Sequence, residues 1–241
     1  MTPAEIMRAT DAIGKIGAAF YFDPATLAVG REAGLDGFRF YILGRGGVLG
    51  NVESAVVHGA FGYFHPGLID KMWTSAAEQV APRDAARLYH HCAHEFGRAR
   101  LADVEGLEGF VDAATQIIDG VEGASLPLFT AMRAEPVPSD VPAAALHQAM
   151  VLRELRGSVH LLALVANGLD SARAHAIKRP DDVAGFGYET APEIGDADRA
   201  AWERAEALTD RLLAPAYAGL SDVQADALVS GTGAIKLALG I

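Results

Sequence analysis

The residues best placed to do chemistry sit on one apolar stretch. Leu146–Asp170, LHQAMVLRELRGSVHLLALVANGLD, reads as a helix apolar nearly all round, yet it carries Arg153, Glu154, Arg156 and His160. At about 100° per residue, Arg156 falls about 60° and His160 about 20° to one side of Arg153, and Gly157 about 40° to the other. Val151, Leu155 and Leu162 collect at the opposite pole. The helix therefore carries a narrow cationic stripe beside a glycine gap. Arginine's planar fork makes paired hydrogen bonds to carboxylate or phosphate, so three donors one turn apart suit a small anion. The same pattern also fits a solvated face, or a network in which both arginines pair with Glu154 and acids elsewhere.

A second candidate is Tyr89-His90-His91-Cys92-Ala93-His94-Glu95. His90 and His94 stand four residues apart, which puts two imidazoles on one side of a helix at the spacing used for divalent metals. His91 and Glu95 repeat that spacing on a neighbouring face. A third ligand would have to come from His58, His65, His147 or His160. A histidine-rich, partly exposed face is the plainer alternative.

Gly44-Arg45-Gly46-Gly47 has the look of a phosphate loop, but neither GxxxxGK[ST] nor GxGxxG spacing is met. Arg45 is nevertheless a candidate anion ligand, because glycines admit close approach of backbone and ligand. His58 and His65 flank an aromatic stretch with Phe61, Tyr63 and Phe64, suited either to a core or to a flat apolar pocket. No nucleophile elbow surrounds Ser158. Candidate ligand-binding residues are thus Arg45, Phe61, Phe64, His65, Arg153, Arg156 and His160. Candidate acid–base residues are His160 and His58, and the candidate metal pair is His90 and His94.

The 241 residues suffice for a full core, and 51% of them are hydrophobic against 21% charged, a globular balance. A net charge of −11 argues against a general nucleic-acid surface, which needs cations to displace phosphate counterions. The single Cys92 excludes an internal disulfide and fits a reducing compartment. With no leader pattern and no charge-free apolar run of about 18 residues, a cytoplasmic protein is expected.

The elements that must position these groups read as helices. Thr2-Pro-Ala-Glu5 is a capping box opening a helix toward Phe20, and Asp23-Pro24 opens another that stops at Gly34. A helix to about Leu43, a glycine-rich turn and a short helix from Asn51 follow, with a strand through Val56–Phe64 as the competing reading. Helices are expected from Pro66 through Trp73, from Pro82, over Glu105–Ile118, along Leu146–Asp170 and over Ser171–Lys178. Ala131–Pro142, with three prolines, reads as a linker, and Arg179–Gly195 as a loop. Asp196 caps an amphipathic helix stopped by Pro215, and Ser221-Asp-Val-Gln224 opens the last. The expected fold is mainly α: a helical N-terminal region, 1–138, and a C-terminal helical region, 139–241, packed as one unit. The amphipathic terminal helices suit a homodimer.

Several segments resemble an uncharacterised actinobacterial family of helix-turn-helix or winged-helix DNA-binding-like proteins. GRGGVLGNVESAVVHGAFGYFHP is similar to its GRaapLG…F..F.P block. LPLFTAMRAEPVPSD with LRELRGSVH resembles PLF.AnR, a proline linker and LREhRGDGH, and TDRLLAPAYAGLS resembles its TD.L…PW..L ending. The resemblance points to Gly44, Arg45, Phe61, Phe64, Pro66, Arg153, Glu154, Arg156, Gly157 and His160. It implies that residues 139–241 are related to, but shortened from, a winged helix. Here RGDGH is RGSVH, Leu155 stands where a histidine is usual, and the stretch from Leu169 to Trp202 is short and carries Asp181, Asp182, Glu189 and Glu193. A recognition helix needs cations at the groove, so DNA is not the expected partner. The residues leave three functions open: binding of a small anionic ligand with an apolar part, an enzyme using a pocket histidine or a His-bound divalent metal, and a transcriptional regulator.

Overall fold

Seven helices begin where the sequence supplies a side-chain acceptor for amide groups that have no partner in the first turn. The computed structural model describes all of residues 1–241. Thr2 and Glu5 close the expected capping box on α1 (Pro3–Ala9). That helix stops well short of Phe20, and a separate turn, α2 (Ile13–Ile16), follows. The Thr10 hydroxyl donates to the Ile6 carbonyl at 2.9 Å, a bond that competes with the helical ladder. Asp23 caps α3 (Pro24–Glu32), and Gly34, at φ +79°, turns the chain after it.

Asp36 caps α4 (Gly37–Gly46), which tightens into one 3-10 turn, Gly47–Leu49. The glycine-rich turn expected after Leu43 is therefore displaced to Gly50, at φ +86°, while Gly44, Gly46 and Gly47 are helical. Their service is closeness to α7 (Pro82–Leu101). A Cβ on Gly44 would lie 2.6 Å from the Tyr89 ring, and one on Gly47 2.0 Å from the Pro82 carbonyl oxygen. The phosphate-loop look of this segment has the same explanation. Residues 54–61 form α5 (Ser54–Phe61), not a strand, and His65 caps α6 (Pro66–Ala77), which runs past Trp73.

Next come α8 (Leu107–Asp119) and α9 (Pro127–Arg133), the latter occupying the start of the expected linker. Asp140 caps α10 (Val141–Ala166), which begins before Leu146 and ends at Asn167 and Gly168. After α11 (Ser171–Lys178) the chain makes two 3-10 turns, Pro180–Asp182 and Ala184–Phe186. The capping group of α12 (Asp196–Ala218) is Gly195, and the helix continues through Pro215 instead of stopping there. Proline deprives the exposed Arg211 of its helical donor, while burial of Leu213 and Tyr217 holds the last turn down. Ser221 and Gln224 close a capping box on α13 (Asp222–Leu239).

The result is mainly α, 72% helical in 13 helices with no strand, so no β-hairpin wing is present. Helix α10 lies at its centre, packed on α7, α8, α9, α2 and α12. The main apolar cluster joins Phe20, Phe40, Tyr89 and Phe110 to Leu146, Val151 and Leu155 of α10. A smaller one seals the end of α10 against α11 and α12 through Leu164, Leu169, Ala174 and Ala205. No helix is long and apolar enough to cross a membrane.

Candidate functional site

The stripe on α10 divides among three neighbourhoods. Near its middle, Glu154 is buried, and Arg45 of α4 reaches it with both arms of its fork, Nε to Oε1 at 2.9 Å and Nη2 to Oε2 at 2.6 Å. Arg153 Nη1 adds a 2.9 Å bond to Oε1. Tyr41 accepts from Arg45 at 3.2 Å, and the guanidinium lies over the Phe61 ring, 4.1 Å from its centroid. Burial disfavours the charged carboxylate, but Arg45 and then Arg153 outweigh it and hold the Glu154 carboxyl below its ordinary range. The same carboxylate holds the Arg45 guanidinium well above its own range against the opposing effect of burial. Arg45 is thus a structural cation joining α4 to α10. Two cations share one acid, and the surplus rests on Arg153, the more exposed of the pair.

One turn on, Arg156 Nη2 donates to Glu206 of α12 at 2.7 Å. His160 is buried with its Nδ1 2.9 Å from Thr209 Oγ1, whose hydrogen goes to the Ala205 carbonyl. Nδ1 must then carry the imidazole proton, and Nε2 is bare. Glu206 Oε1 faces it at 3.8 Å without a hydrogen bond. Burial pushes His160 well below the usual imidazole range; Glu206 opposes the shift, while Arg156 and Lys178 add to it.

Tyr63 stacks beside His160, ring centroids 6.4 Å apart and nearly parallel at 12°. Its backbone is in the left-handed region at φ +58°, a costly place for an aromatic residue. Trp202 meets the imidazole edge-on at 5.1 Å. Lys178 is exposed as a residue, yet its ammonium end lies 5.7 Å from the Tyr63 ring centre and 5.9 Å from that of Trp202. Loss of water at that end, then repulsion from Arg156, lowers its pKa. Tyr63 Oη and His160 Nε2 are both buried without a hydrogen-bond partner. Unsatisfied buried groups are few in native proteins, and a hydroxyl, a bare imidazole nitrogen and an ammonium in one cluster form a set able to hold an anion or pass a proton.

The other expected pocket residues lie elsewhere. Phe61 and Phe64 are buried in the main core, and Phe64 stacks on Phe186 at 4.2 Å. His65 accepts from the Gly67 amide as the α6 cap. His58 places Nε2 3.1 Å from the Phe64 carbonyl and lines an open groove of about 290 Å³ with Ser54, Pro66 and Asp70. It neither stacks on nor hydrogen-bonds to His160.

On the opposite side of α10, His147 meets the histidines of α7. His94 Nε2 and His147 Nδ1 are 3.2 Å apart, and one ring nitrogen from each of His90, His94 and His147 falls within 4.8 Å of the others. Burial, then the neighbouring imidazoles, holds His90 down at about 3, while burial leads in holding His94 and His147 at about 4, so all three rings are neutral at pH 7. His91 remains exposed beside Glu95.

Sequence reasoning placed Tyr63 in an aromatic stretch that could line a pocket, but it did not single out Lys178, Glu206 or Thr209. Residues 206 and 209 share a face of α12, but nothing in their spacing says which helix that face meets. None of the curated proteins or solved structures compared with the chain matches it. A sequence model described as a helix-turn-helix family matches residues 6–193, most of the chain. The match takes in α2 through α11, including the Arg45–Glu154 link and all three histidines between α7 and α10, and the chain belongs to that helix-turn-helix family.

Proposed function

We propose that this protein binds a small anionic molecule at the cluster of Tyr63, His160, Lys178 and Trp202. The observation that carries the reading is the pair of buried, unpartnered atoms, Tyr63 Oη and His160 Nε2. Charge supports it: Arg156 and Arg179 act on Lys178 together, and Glu206 opposes them. A ligand hydroxyl, accepting from Tyr63 and donating to His160 Nε2, would satisfy the tyrosine–histidine pair, a carboxylate or phosphate would face Lys178 and Arg156, and an apolar part would cover the Trp202 ring. Arg45, Phe61 and Phe64, first considered as ligand contacts, act in this reading as the support beneath the site.

The test is native mass spectrometry of tag-free protein. Wild type should retain a small molecule, and Lys178→Ala and Tyr63→Phe should each lose it with little change in melting temperature. A wild-type spectrum without any adduct, or retention undiminished in both variants, would count against the reading. A second reading, a transcriptional regulator, is favoured by membership of a helix-turn-helix family. Ligand binding and DNA contact are compatible in one molecule, and the second depends on charge distribution over the whole surface.

A further inference from the structure

We propose that His90, His94 and His147 bind one divalent d-block metal ion, with zinc as the reference case, between α7 and α10. The site lies on the other side of α10 from the His160 cluster and is independent of it.

The three rings converge from two helices. His90 and His94 are successive turns of α7, and His147 projects from the first third of α10. Their candidate ligand nitrogens lie within 4.8 Å of one another, and the His94–His147 pair is at 3.2 Å. A tetrahedral zinc with Zn–N bonds of about 2.0–2.1 Å sets neighbouring nitrogens about 3.3 Å apart. That pair is already at the required spacing, and His90 has only to close in by a rotamer adjustment. The alternative, a purely structural imidazole trio, leaves polar atoms unaccounted for. The single hydrogen bond between His94 and His147 does nothing for His90 Nε2 or His147 Nε2, which are buried without partners. An ion that took a lone pair from each ring, from His147 through Nδ1, would replace the His94–His147 hydrogen bond and give the His90 ring the partner it lacks, leaving the His147 proton on Nε2.

The surroundings fit an ion held by neutral donors. The nearest charged groups, Arg98 with Glu95 and Asp140, already form their own hydrogen-bonded set at the rim. Arg83 is likewise committed to Glu135. Three histidines fill three positions of a tetrahedral ion, and the fourth would open on the side of His94, which is half-buried where the other two are buried. Water would occupy it, and three histidines plus water is a donor set able to lower the pKa of that water and activate it as a nucleophile.

The test uses full-length, tag-free protein loaded with zinc, desalted and analysed for bound metal. Wild type should retain one zinc per chain, melt at a higher temperature than the metal-free protein, and give with cobalt(II) the intense visible absorption of a tetrahedral site. His94→Ala, the least buried of the three positions, should weaken zinc binding more than about 100-fold while melting like metal-free wild type. His91→Ala, on the exposed face, should bind as wild type does. Wild type that retains no zinc and shows no tetrahedral cobalt spectrum would overturn the proposal, as would His94→Ala retaining zinc equally well. The cobalt spectrum of wild type decides the matter even if the variant fails to fold.

Discussion

At the scale of single residues, the decisive contact is the carboxylate of Glu154. It is buried between two guanidinium groups, so losing its charge strands Arg45 in the core. Removing one partner of a buried ion pair costs about 3–5 kcal/mol, because the remaining charge stays desolvated. Glu154→Gln should therefore lose roughly that much in urea unfolding, and Arg45→Met combined with Glu154→Leu should recover most of it. The pH dependence has a definite sign. The folded carboxyl lies below its ordinary value of 4.5, so its contribution is complete above that value and is lost as pH falls through the folded one. Glu154→Gln should flatten that acid limb. The sequence displayed Arg153, Glu154, Arg156 and His160 and their angular order on one helix. It could not display which partner each would find, because azimuth on a helix carries no distance to another. Arg45 comes from far earlier in the chain, and Glu206 and Thr209 from far later.

At the scale of elements, start signals were legible and glycines were not. Thr2, Asp23 and Ser221, all read as caps, each cap a helix with a side-chain oxygen, local chemistry that needs no tertiary information, whereas Asp36 and Asp140 cap helices unread and Asp196 yields its cap position to Gly195. Gly44 and Gly47 misled because one residue type serves two purposes, permitting a turn or permitting contact, and composition does not separate them. The structure does, and it yields a paired prediction. Gly47→Ala would thrust a Cβ onto the Pro82 carbonyl and should cost about 3 kcal/mol or more, since overpacking against backbone has no rotamer to relieve it. Gly59→Ala, inside α5 with nothing within 4 Å of its added carbon, should instead stabilise by about 0.5–1 kcal/mol. Chemical-denaturation midpoints of both variants check the contrast. Equal effects would mean that α4 and α7 do not meet as described.

At the scale of the molecule, the mainly helical class followed from composition and periodicity, whereas the central position of α10 did not. An all-round apolar helix has to be surrounded, but the identity of its neighbours is a matter of topology. Net charge bears on the regulator reading in the same global way. At −11, with no strand to form a wing and acids in the loop after α11, the surface offers few cations to displace counterions. Mobility-shift titrations on duplex DNA should accordingly show no complex at about 0.15 M salt and at most a weak, salt-sensitive one well below it. A tight complex at the higher salt would instead favour the regulator.

Phe186 gives this architecture an unexpected long arm. Its ring is sandwiched between Phe64 at 4.2 Å and His175 at 3.8 Å, and its carbonyl accepts the His65 amide at 2.8 Å. The tight bend that aims the Tyr63 hydroxyl is therefore clamped by a segment from much later in the polypeptide. Tyrosine at that bend keeps its awkward backbone only while the clamp is shut. Trimming the clamp with Phe186→Ala would let the bend relax, and faster deuterium uptake at the amides around Tyr63 would register an edit made at a distant address in the gene.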